Sequence, residues 1–525
     1  MATVAKEMYG LLAKKSFVFW VMIQGVVSQT AVCQYWLGLS SSNYAGTHAL
    51  HLNPAHAADS RHKLYLNIVG NDFFIINNYL QYNAPYSFLS LITNSVSDQY
   101  RNDRGLIIWK DSYYAERLNG RRKHLHAGGD LRGPSLLYSF NKNRMAIGLT
   151  TRGRYLLNMT NTSEATARLI RYGTDLEEIQ KQEYKAQTGM MNINGYLELG
   201  GTFGMVLADD DEYFVKVGAT VKRAVGLYNV HADLQNADYR IQVESLNRNR
   251  EFIEATQLQG RYGYTGEGSL AGLSPDPRFL FGNRSAGGGW GLDIGIVYEH
   301  RPDIRKYKRG NNPADPNQNK YKYRFSAALN DFGAIRYRNL NFVRQASVNI
   351  QNAVPPTTFS YVRFNDMGSA TEAANAVNRS VGLPDDFEAK AFTVGLPTTA
   401  NISMDYHHDG PWYVNALWVQ GLRSSKGLAI KPQTVLAVTP RYERRWVEIS
   451  APLALLDSYR VLAIGVAARV GPVIIGTDHL GGLLDIGKPR GLDFYFALYA
   501  PFFHRRPKDP NKCWYLPYEK PSRRK

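Results

Sequence analysis

The chain has 525 residues and a formal net charge of +17, from 62 Lys and Arg against 45 Asp and Glu. With 44% hydrophobic and 20% charged residues it can bury a large core, which excludes global disorder. Two cysteines exclude a disulfide scaffold and a cysteine-based zinc cluster. The length fits several ordinary domains or one closed β-barrel, so length alone leaves both open.

Residues 1–33 have the features of a secretory signal peptide. Lys14 and Lys15 supply positive charge, and residues 17–27 form an apolar stretch too short and too polar for a comfortable membrane span. A small-x-small site ends at Cys33, so export and a mature chain beginning at Gln34 are predicted. The alternative is that Cys33 is lipidated. Val32 fits this alternative poorly, because it is branched where a small residue is wanted.

Residues 34–61 are too irregular for a strand or helix, yet they are rich in Gly, Ser, Ala and apolar side chains. Such a backbone needs surrounding protein to satisfy its hydrogen bonds, and a barrel lumen would supply it. The segment is therefore predicted to be a luminal hatch. Pro54 fixes its own φ and restricts Asn53, so Asn53, Pro54 and Ala55 are candidates for a set bend. The alternative is a purely structural plug.

Between residues 62 and 503 the apolar side chains recur at every second position. In 492–500 one face is Leu, Phe, Phe, Leu and Ala, and the other is Asp, Tyr, Ala and Tyr. Successive side chains of a strand point to opposite faces, so the pattern predicts an all-β fold, an antiparallel barrel of about 14 strands. Long connections at 71–133, 158–188, 301–319 and 351–388 are expected to lie outside the cell.

Local alternation does not distinguish a soluble barrel from a transmembrane one. Long strands and aromatic residues toward strand ends favour the transmembrane barrel, whose apolar face meets lipid. The lumen is then predicted to hold charges of both signs. The girdle candidates are Trp412, Trp418, Tyr495, Tyr499, Phe502 and Phe503, and the inward charges are Asp293, Lys216, Lys222, Arg152, Arg154 and Arg469.

Several short motifs, in this order, resemble the FadL/PorV-like outer-membrane barrels. They are 42–46 (SNYAG), 53–55 (NPA), 217–222 (VGATVK), 291–295 (GLDIG) and 471–478 (GPVIIGTD). More closely, the chain is similar to an uncharacterised family of Bacteroidota outer-membrane barrel proteins in that group. The resemblance implies a monomeric barrel with an N-terminal hatch, in the outer membrane of a Gram-negative, Bacteroidota-like bacterium. It implies no activity.

No stretch of the sequence predicts catalysis, a metal site or a cofactor. The acidic run 209–212 has contiguous carboxylates rather than calcium-loop spacing, and a solvated turn is expected. His51, His56 and His62 lack a metalloprotease frame, and 287–291 lacks the Lys-Ser/Thr of a phosphate loop. A Gly-x-Ser-x-Gly elbow is absent from the sequence. We therefore predict that the protein is not an enzyme.

Residues 504–525 form a basic tail with interleaved aromatics, expected in the periplasm. Contact of this tail with anionic lipid or a protein partner is more plausible than contact with nucleic acid. The other interpretation is a tail that is merely solvated. The candidate contact residues are Arg505, Arg506, Trp514, Arg523 and Arg524.

Three functions remain open from the sequence. The first is hatch-gated passage of a hydrophobic or amphipathic small molecule, since a hatch and small luminal side chains leave no wide water channel. The second is a non-transporting scaffold or shuttle for secreted or envelope proteins, as in PorV-like barrels. The third is a soluble, β-rich secreted protein. Outer-membrane lipid is the expected partner of a barrel, with lipopolysaccharide at its basic loops.

Overall fold

The computed structural model describes the chain between Tyr35 and Arg505. The described residues are 35–174, 176–243, 251–270, 276–281, 284–308, 314–360, 369–382, 389–424, 427–487 and 489–505. The predicted signal segment and most of the predicted tail lie outside this part. Strands dominate the described ranges, so the predicted all-β class is confirmed.

Fourteen antiparallel wall strands form a closed barrel, as predicted. The first wall strand pairs with the last, from His62 opposite Phe503 to Ile76 opposite Gly491, which closes the sheet. The described strands are β1 (His62–Asn77), β2 (Leu80–Tyr82), β3 (Tyr114–Glu116), β4 (Lys123–Arg132), β5 (Ser135–Phe140), β6 (Met145–Thr162), β7 (Glu183–Asp210), β8 (Tyr213–Val243), β9 (Glu251–Thr265), β10 (Gly287–His300), β11 (Tyr323–Tyr337), β12 (Val343–Ile350), β13 (Thr357–Ser360), β14 (Phe392–Gly395), β15 (Thr399–Asp409), β16 (Trp412–Gly421), β17 (Val435–Glu443), β18 (Val447–Ser450), β19 (Leu453–Leu456), β20 (Val461–Ile464), β21 (Val466–Val470), β22 (Val473–Thr477) and β23 (Gly491–Phe503).

Four wall strands are each interrupted once, so that two segments make one strand. The pairs are β4 with β5, β14 with β15, β18 with β19, and β20 with β21. Pro134, Pro397 and Pro452 lie at the first three interruptions, where the missing N–H ends the hydrogen-bond ladder. Gly465 marks the fourth. Beyond the wall, the far half of β8 pairs with β9, and β9 pairs with β12 and β13. This sheet extends the barrel away from the hatch.

The two faces of the wall have opposite chemistry, as the alternation predicts. Leu462 and Ile464 point outward with exposed fractions of 70% and 54%, while Ala463 between them is buried. Inward positions carry buried charged and polar groups, whereas the outer face is a belt of aliphatic side chains. Buried polar groups inside and exposed apolar groups outside are the reverse of a soluble barrel and are typical of one that meets lipid.

Exposed aromatic residues ring the end of the barrel that carries the short turns. Trp412 and Phe502 are 54% and 51% exposed there. The prediction was wrong for Tyr495 and Tyr499, which are buried and point into the lumen. They lie on the inward face of β23, and the residues before β1 pack over them. In the alternation of β23 both tyrosines fall on the face opposite to Phe494 and Phe496, which already predicts that they point inward. Their position near a strand end was therefore not evidence for a girdle.

Connections differ in length at the two ends. Short turns at one end include 211–212 and 410–411, and the connection 78–122 crosses the other end. The connection predicted at 301–319 was expected to lie with the long loops outside the cell, and this prediction was wrong. It spans 301–322, and its described residues 301–308 and 314–322 lie at the short-turn end, because β10 runs toward that end. The described helices are α1 (Thr47–Leu50), α2 (Phe88–Ile92), α3 (Glu164–Tyr172), α4 (Pro277–Leu280), α5 (Ala370–Ser380) and α6 (Leu480–Leu484).

None of the described helices has the length and apolar character that a membrane span requires.

Candidate functional site

Residues 35–61 lie inside the barrel at the short-turn end and are called the hatch below. Its centre is a bend at Asn53, which is 1% exposed. The Asn53 side-chain oxygen accepts from the Ala55 N–H at 2.9 Å and caps a short 3₁₀ turn, Pro54–Ala57. Its amide nitrogen donates to the carbonyls of Ile296 (3.1 Å) and Ala327 (3.2 Å). These two residues face each other on β10 and β11, so the bend is held on the seam between two wall strands.

Two glycines allow the hatch to approach this wall. A Cβ atom on Gly295 would lie 2.0 Å from the Asn53 side-chain oxygen, and one on Gly218 would lie 2.4 Å from the Pro54 carbonyl oxygen. Non-bonded atoms do not approach this closely, so only glycine fits at either position. The wall strands β8 and β10 therefore carry glycine where the hatch backbone touches them.

Two more asparagines fasten the residues before the bend. The Asn330 amide donates to the carbonyls of His51 and Leu52, at 2.8 and 2.9 Å. The Asn401 amide donates to the Leu52 carbonyl at 2.9 Å. These side chains satisfy hatch carbonyls that lie outside regular structure, whereas Asn53 donates to carbonyls of the wall strands. The hatch is thus tied to β10, β11 and β15 through five hydrogen bonds made by three amides.

A groove of about 650 Å³ lies on the outer side of the same wall. Its surface is almost entirely apolar, because Asn401, the lining residue with a polar side chain, directs that side chain to the hatch. Gly218, Gly295 and Ala328 contribute only backbone or a methyl group to its floor, so little protein separates the groove from the hatch. The lining residues are Phe203, Met205, Val217, Gly218, Ala219, Ile294, Gly295, Ile296, Ala327, Ala328, Leu329, Ala400, Asn401 and Ile402.

The first residues of the hatch are held by an aromatic stack. The Trp36 ring stacks with His48 and Tyr495, with ring centroids 4.5 and 5.1 Å away. The Arg132 guanidinium lies 3.9 Å from the Trp36 ring centroid, and the indole N–H donates to Asp72. Cation–π contacts of this kind strengthen when they are desolvated. The buried Tyr495 therefore contributes to hatch binding rather than to a membrane girdle.

The end of the hatch is held by ion pairs around Asp59. Its carboxylate lies 2.8 Å from Arg301, 2.9 Å from Lys320 and 3.1 Å from Arg61, and all four side chains are buried. Arg61 also donates to the carbonyls of Pro316 and Gln318 in the connection 301–322. The described residues of this connection therefore pack the barrel end against the hatch.

The charge of Asp59 has a defined pH dependence. Burial would raise the pKa of the Asp59 carboxyl, but Lys320, Arg61 and Arg301 outweigh burial and hold this pKa well below 3.8. A carboxyl whose pKa is lower in the folded state stabilises that state above its unfolded pKa and loses the effect as pH falls toward the folded pKa. We expect the difference in unfolding free energy between wild type and Asp59→Asn to be present at pH 5 and to shrink as the pH falls below about 4. Urea unfolding across this pH series measures the difference.

The six predicted inward charges are all buried in the lumen, as the alternation predicts. They are paired rather than free. Arg154 lies 2.9 Å from Asp331, Arg152 lies 2.8 Å from Glu198, and Lys222 lies 2.7 Å from Asp293. Lys216 and Arg469 also face carboxylates, at 3.5 Å from Glu299 and 3.0 Å from Glu448.

The alternation pattern misses Asp331, which joins three of these cations. Asn330 and Asp331 are both buried, although successive strand residues normally face opposite sides. A bulge in the pairing of β10 with β11 and a φ of 54° at Asp331 turn both side chains inward. A non-glycine residue with positive φ inside a strand is unusual. The Asn-Asp pair in mid-strand, followed by Gly333, was the available signal.

Of the predicted tail contacts, Arg505 is described and is exposed. Arg506, Trp514, Arg523 and Arg524 lie outside the described residues. In the described ranges no group of three or more His, Cys, Asp or Glu is arranged to hold a metal ion. Burial, aided by Arg132 and Arg152, holds the pKa of His48 and His51 well below 6.5, so these hatch imidazoles are neutral.

The sequence profile of DUF5723, described as a family of unknown function, matches residues 54–478. No curated protein matches the chain. Among solved structures, the P. putida toluene transporter TodX is 10% identical, with 88% of this chain and 95% of that chain covered and a TM-score of 0.38. The Ralstonia pickettii toluene transporter TbuX is 10% identical, with 91% and 100% covered and a TM-score of 0.36. A Pseudomonas aeruginosa FadL homologue is 10% identical, with 87% and 94% covered and a TM-score of 0.28. Similarities this distant carry no functional argument.

Proposed function

Because the chain belongs to DUF5723, a family of unknown function, we propose its function from geometry. The protein is an outer-membrane barrel that passes a hydrophobic or amphipathic small molecule between its lumen and the surrounding membrane, under control of the hatch. An outward apolar belt with buried inward charge supports the membrane location. Signal-directed export, a Bacteroidota-like source and the PorV-like grouping stay predictions.

The observation that carries the proposal is the apolar groove directly behind the Asn53 bend. Its volume of about 650 Å³ falls in the range of small-molecule sites, and its lining would exclude water and salts. The glycine floor at Gly218 and Gly295 leaves only backbone between groove and hatch. If the hatch moved away from β10 and β11, only the backbone of the wall would separate the groove from the lumen.

The luminal charges restrict the cargo. The cations described above already have carboxylate partners, and a bound anion would have to displace one of them at the cost of a buried, unpaired charge. A neutral molecule, or an amphipathic one with an uncharged head, avoids this cost. The proposal therefore favours neutral hydrophobic cargo over fatty-acid-like anions.

The test fills the groove with one bulky side chain. Ala327 is exposed in the groove, and Ala327→Trp would occupy it. The indole would take up the volume that a solute needs, so we expect uptake of a radiolabelled alkylbenzene by expressing cells to fall by about tenfold, which corresponds to about 1.4 kcal/mol of lost binding. Ala468→Trp is the control, because Ala468 also faces outward but lies on β21, away from the groove.

Folding of each variant is checked by the mobility difference between unboiled and boiled samples. Equal uptake by wild type and Ala327→Trp would contradict the proposal, and so would uptake of a sugar at the same rate as the alkylbenzene. A wild-type barrel that passes neither solute would leave the scaffold or shuttle alternative, which stays a prediction.

A further inference from the structure

Charge is distributed unevenly around the hatch end of the barrel. One side carries the acidic turn 209–212, where Lys308 pairs with Asp211. Another part of this end carries the cations called the basic rim, with Arg444 and Arg445 in the turn from β17 to β18 and with Arg505 and Lys63 at the paired ends of β23 and β1. The Arg445 guanidinium lies 4.0 Å from the ring centroid of Phe503, the last residue of β23, and Arg505 follows two residues later.

Among the described residues the basic rim has no carboxylate partners, unlike Lys306 and Lys308 at the same end of the barrel. In the described ranges none of its four side chains forms an ion pair, and the Arg445 Nε atom is buried without a hydrogen-bond partner. By contrast, Lys306 lies 2.9 Å from Asp303. Arg469 donates to the carbonyls of Arg444 (2.7 Å) and Arg445 (3.0 Å), so the turn that presents these cations is fixed.

Exposed aromatic rings lie directly beside the basic rim. Trp446 follows Arg445 and is half exposed, with its ring centroid 5.2 Å from that of Phe503. The Lys63 ammonium lies 4.6 Å from the Tyr138 ring centroid. Aromatic rings next to Lys and Arg mark the level of lipid headgroups on membrane barrels. The basic rim is therefore at the depth where a headgroup phosphate would meet it.

We propose that the basic rim binds the headgroup of an anionic phospholipid in the inner leaflet of the outer membrane. The rim is at the end with the hatch and short turns, which faces the periplasm in membrane barrels. Lipopolysaccharide occupies the opposite leaflet, so a phospholipid phosphate is the anion that reaches these cations. Arginine suits it, because the guanidinium fork matches phosphate oxygens in pairs. The inference rests on the proposed membrane location and is independent of passage through the groove.

The experiment compares lipid retention by purified barrels in a mild nonionic detergent. Phosphatidylglycerol or phosphatidylethanolamine is added, and bound lipid is counted by native mass spectrometry. Each basic side chain near an anionic surface contributes about a fivefold gain, so Arg444→Gln with Arg445→Gln should weaken phosphatidylglycerol binding by about 25-fold. Lys306→Gln with Lys308→Gln is the matched control, since these lysines lie on the same end but already have carboxylate partners.

The proposal is supported if Lys306→Gln with Lys308→Gln binds phosphatidylglycerol like wild type. Phosphatidylethanolamine binding must also be the same in wild type and in both double variants. Equal retention by both double variants overturns the proposal, as does equal wild-type binding of the two lipids. Lipopolysaccharide is added in a separate sample. If Arg444→Gln with Arg445→Gln loses lipopolysaccharide binding and keeps phosphatidylglycerol binding, the proposal is overturned. If that variant does not fold, wild-type phosphatidylglycerol binding is measured at rising salt, and insensitivity to salt overturns the proposal. Failed uptake of the alkylbenzene by wild type with normal lipid retention would contradict only the proposed passage.

Discussion

Replacing Asp59 by Asn should lower the free energy of unfolding of the barrel by about 3–5 kcal/mol, the cost of breaking a buried ion pair from one side. The amide has the same shape but no charge, so Arg61, Arg301 and Lys320 would be left buried beside a neutral group. Asn143, which donates to Asp59 at 3.1 Å, would also face an altered partner. The hatch and the connection 301–322 would loosen together.

Urea unfolding in phospholipid vesicles, followed by tryptophan fluorescence, measures this loss. Asp103→Asn is the matched control, because Asp103 is exposed at the opposite end of the barrel. A loss below about 1 kcal/mol for Asp59→Asn would mean that the cluster is solvated, since exposed ion pairs contribute no more than that. Increased protease cleavage within the hatch should accompany the loss.

Replacing Gly295 by Leu should push the Asn53 bend off the wall. The Cβ atom of the new leucine would overlap the Asn53 side-chain oxygen, and the rest of the leucine side chain has no free space on the luminal side. Overpacking costs about 1–3 kcal/mol, and losing the two bonds to Ile296 and Ala327 adds about 1 kcal/mol each. We therefore expect a hatch that is cleaved readily by added protease and an alkylbenzene uptake above that of wild type.

Gly201→Leu is the control for this variant. Gly201 lies on β7, and a Cβ atom there would meet nothing within 4 Å. Both substitutions remove one strand glycine and add the same side chain, so only the collision with the hatch differs. Protease resistance of Gly295→Leu equal to that of Gly201→Leu would contradict the assigned wall contact.

The wall faces were predictable because strand alternation is a local property. In 492–500 the outward Phe494 and Phe496 and the inward Asp493 follow directly from period two. The same rule identified all six inward charges. It failed at Asp331, where a bulge adds one residue to β11 and reverses the phase for a single position. Bulges depend on the pairing of two strands, which a pattern within one strand does not contain.

The contacts of the candidate site were out of reach for a different reason. Asn53, Pro54 and Ala55 were identified from their backbone restriction, but their wall partners Gly218, Gly295 and Ala327 lie more than about 160 positions later in the chain. The groove combines residues of β7, β8, β10, β11 and β15. Such a surface exists only once the register of neighbouring strands is fixed, and register is set by the whole barrel.

Pairing of β1 with β23 separates the synthesis of β1 from its final pairing by nearly the whole chain. The hatch and β1 leave the ribosome first, but β1 meets its last neighbour only when nearly the whole chain has been made. The stack around Trp36 likewise needs Tyr495. Pairings of such long sequence separation form slowly and leave apolar strands exposed meanwhile. We therefore expect nascent chains to depend on a holding chaperone until the final strand arrives, with the hatch enclosed as the barrel closes.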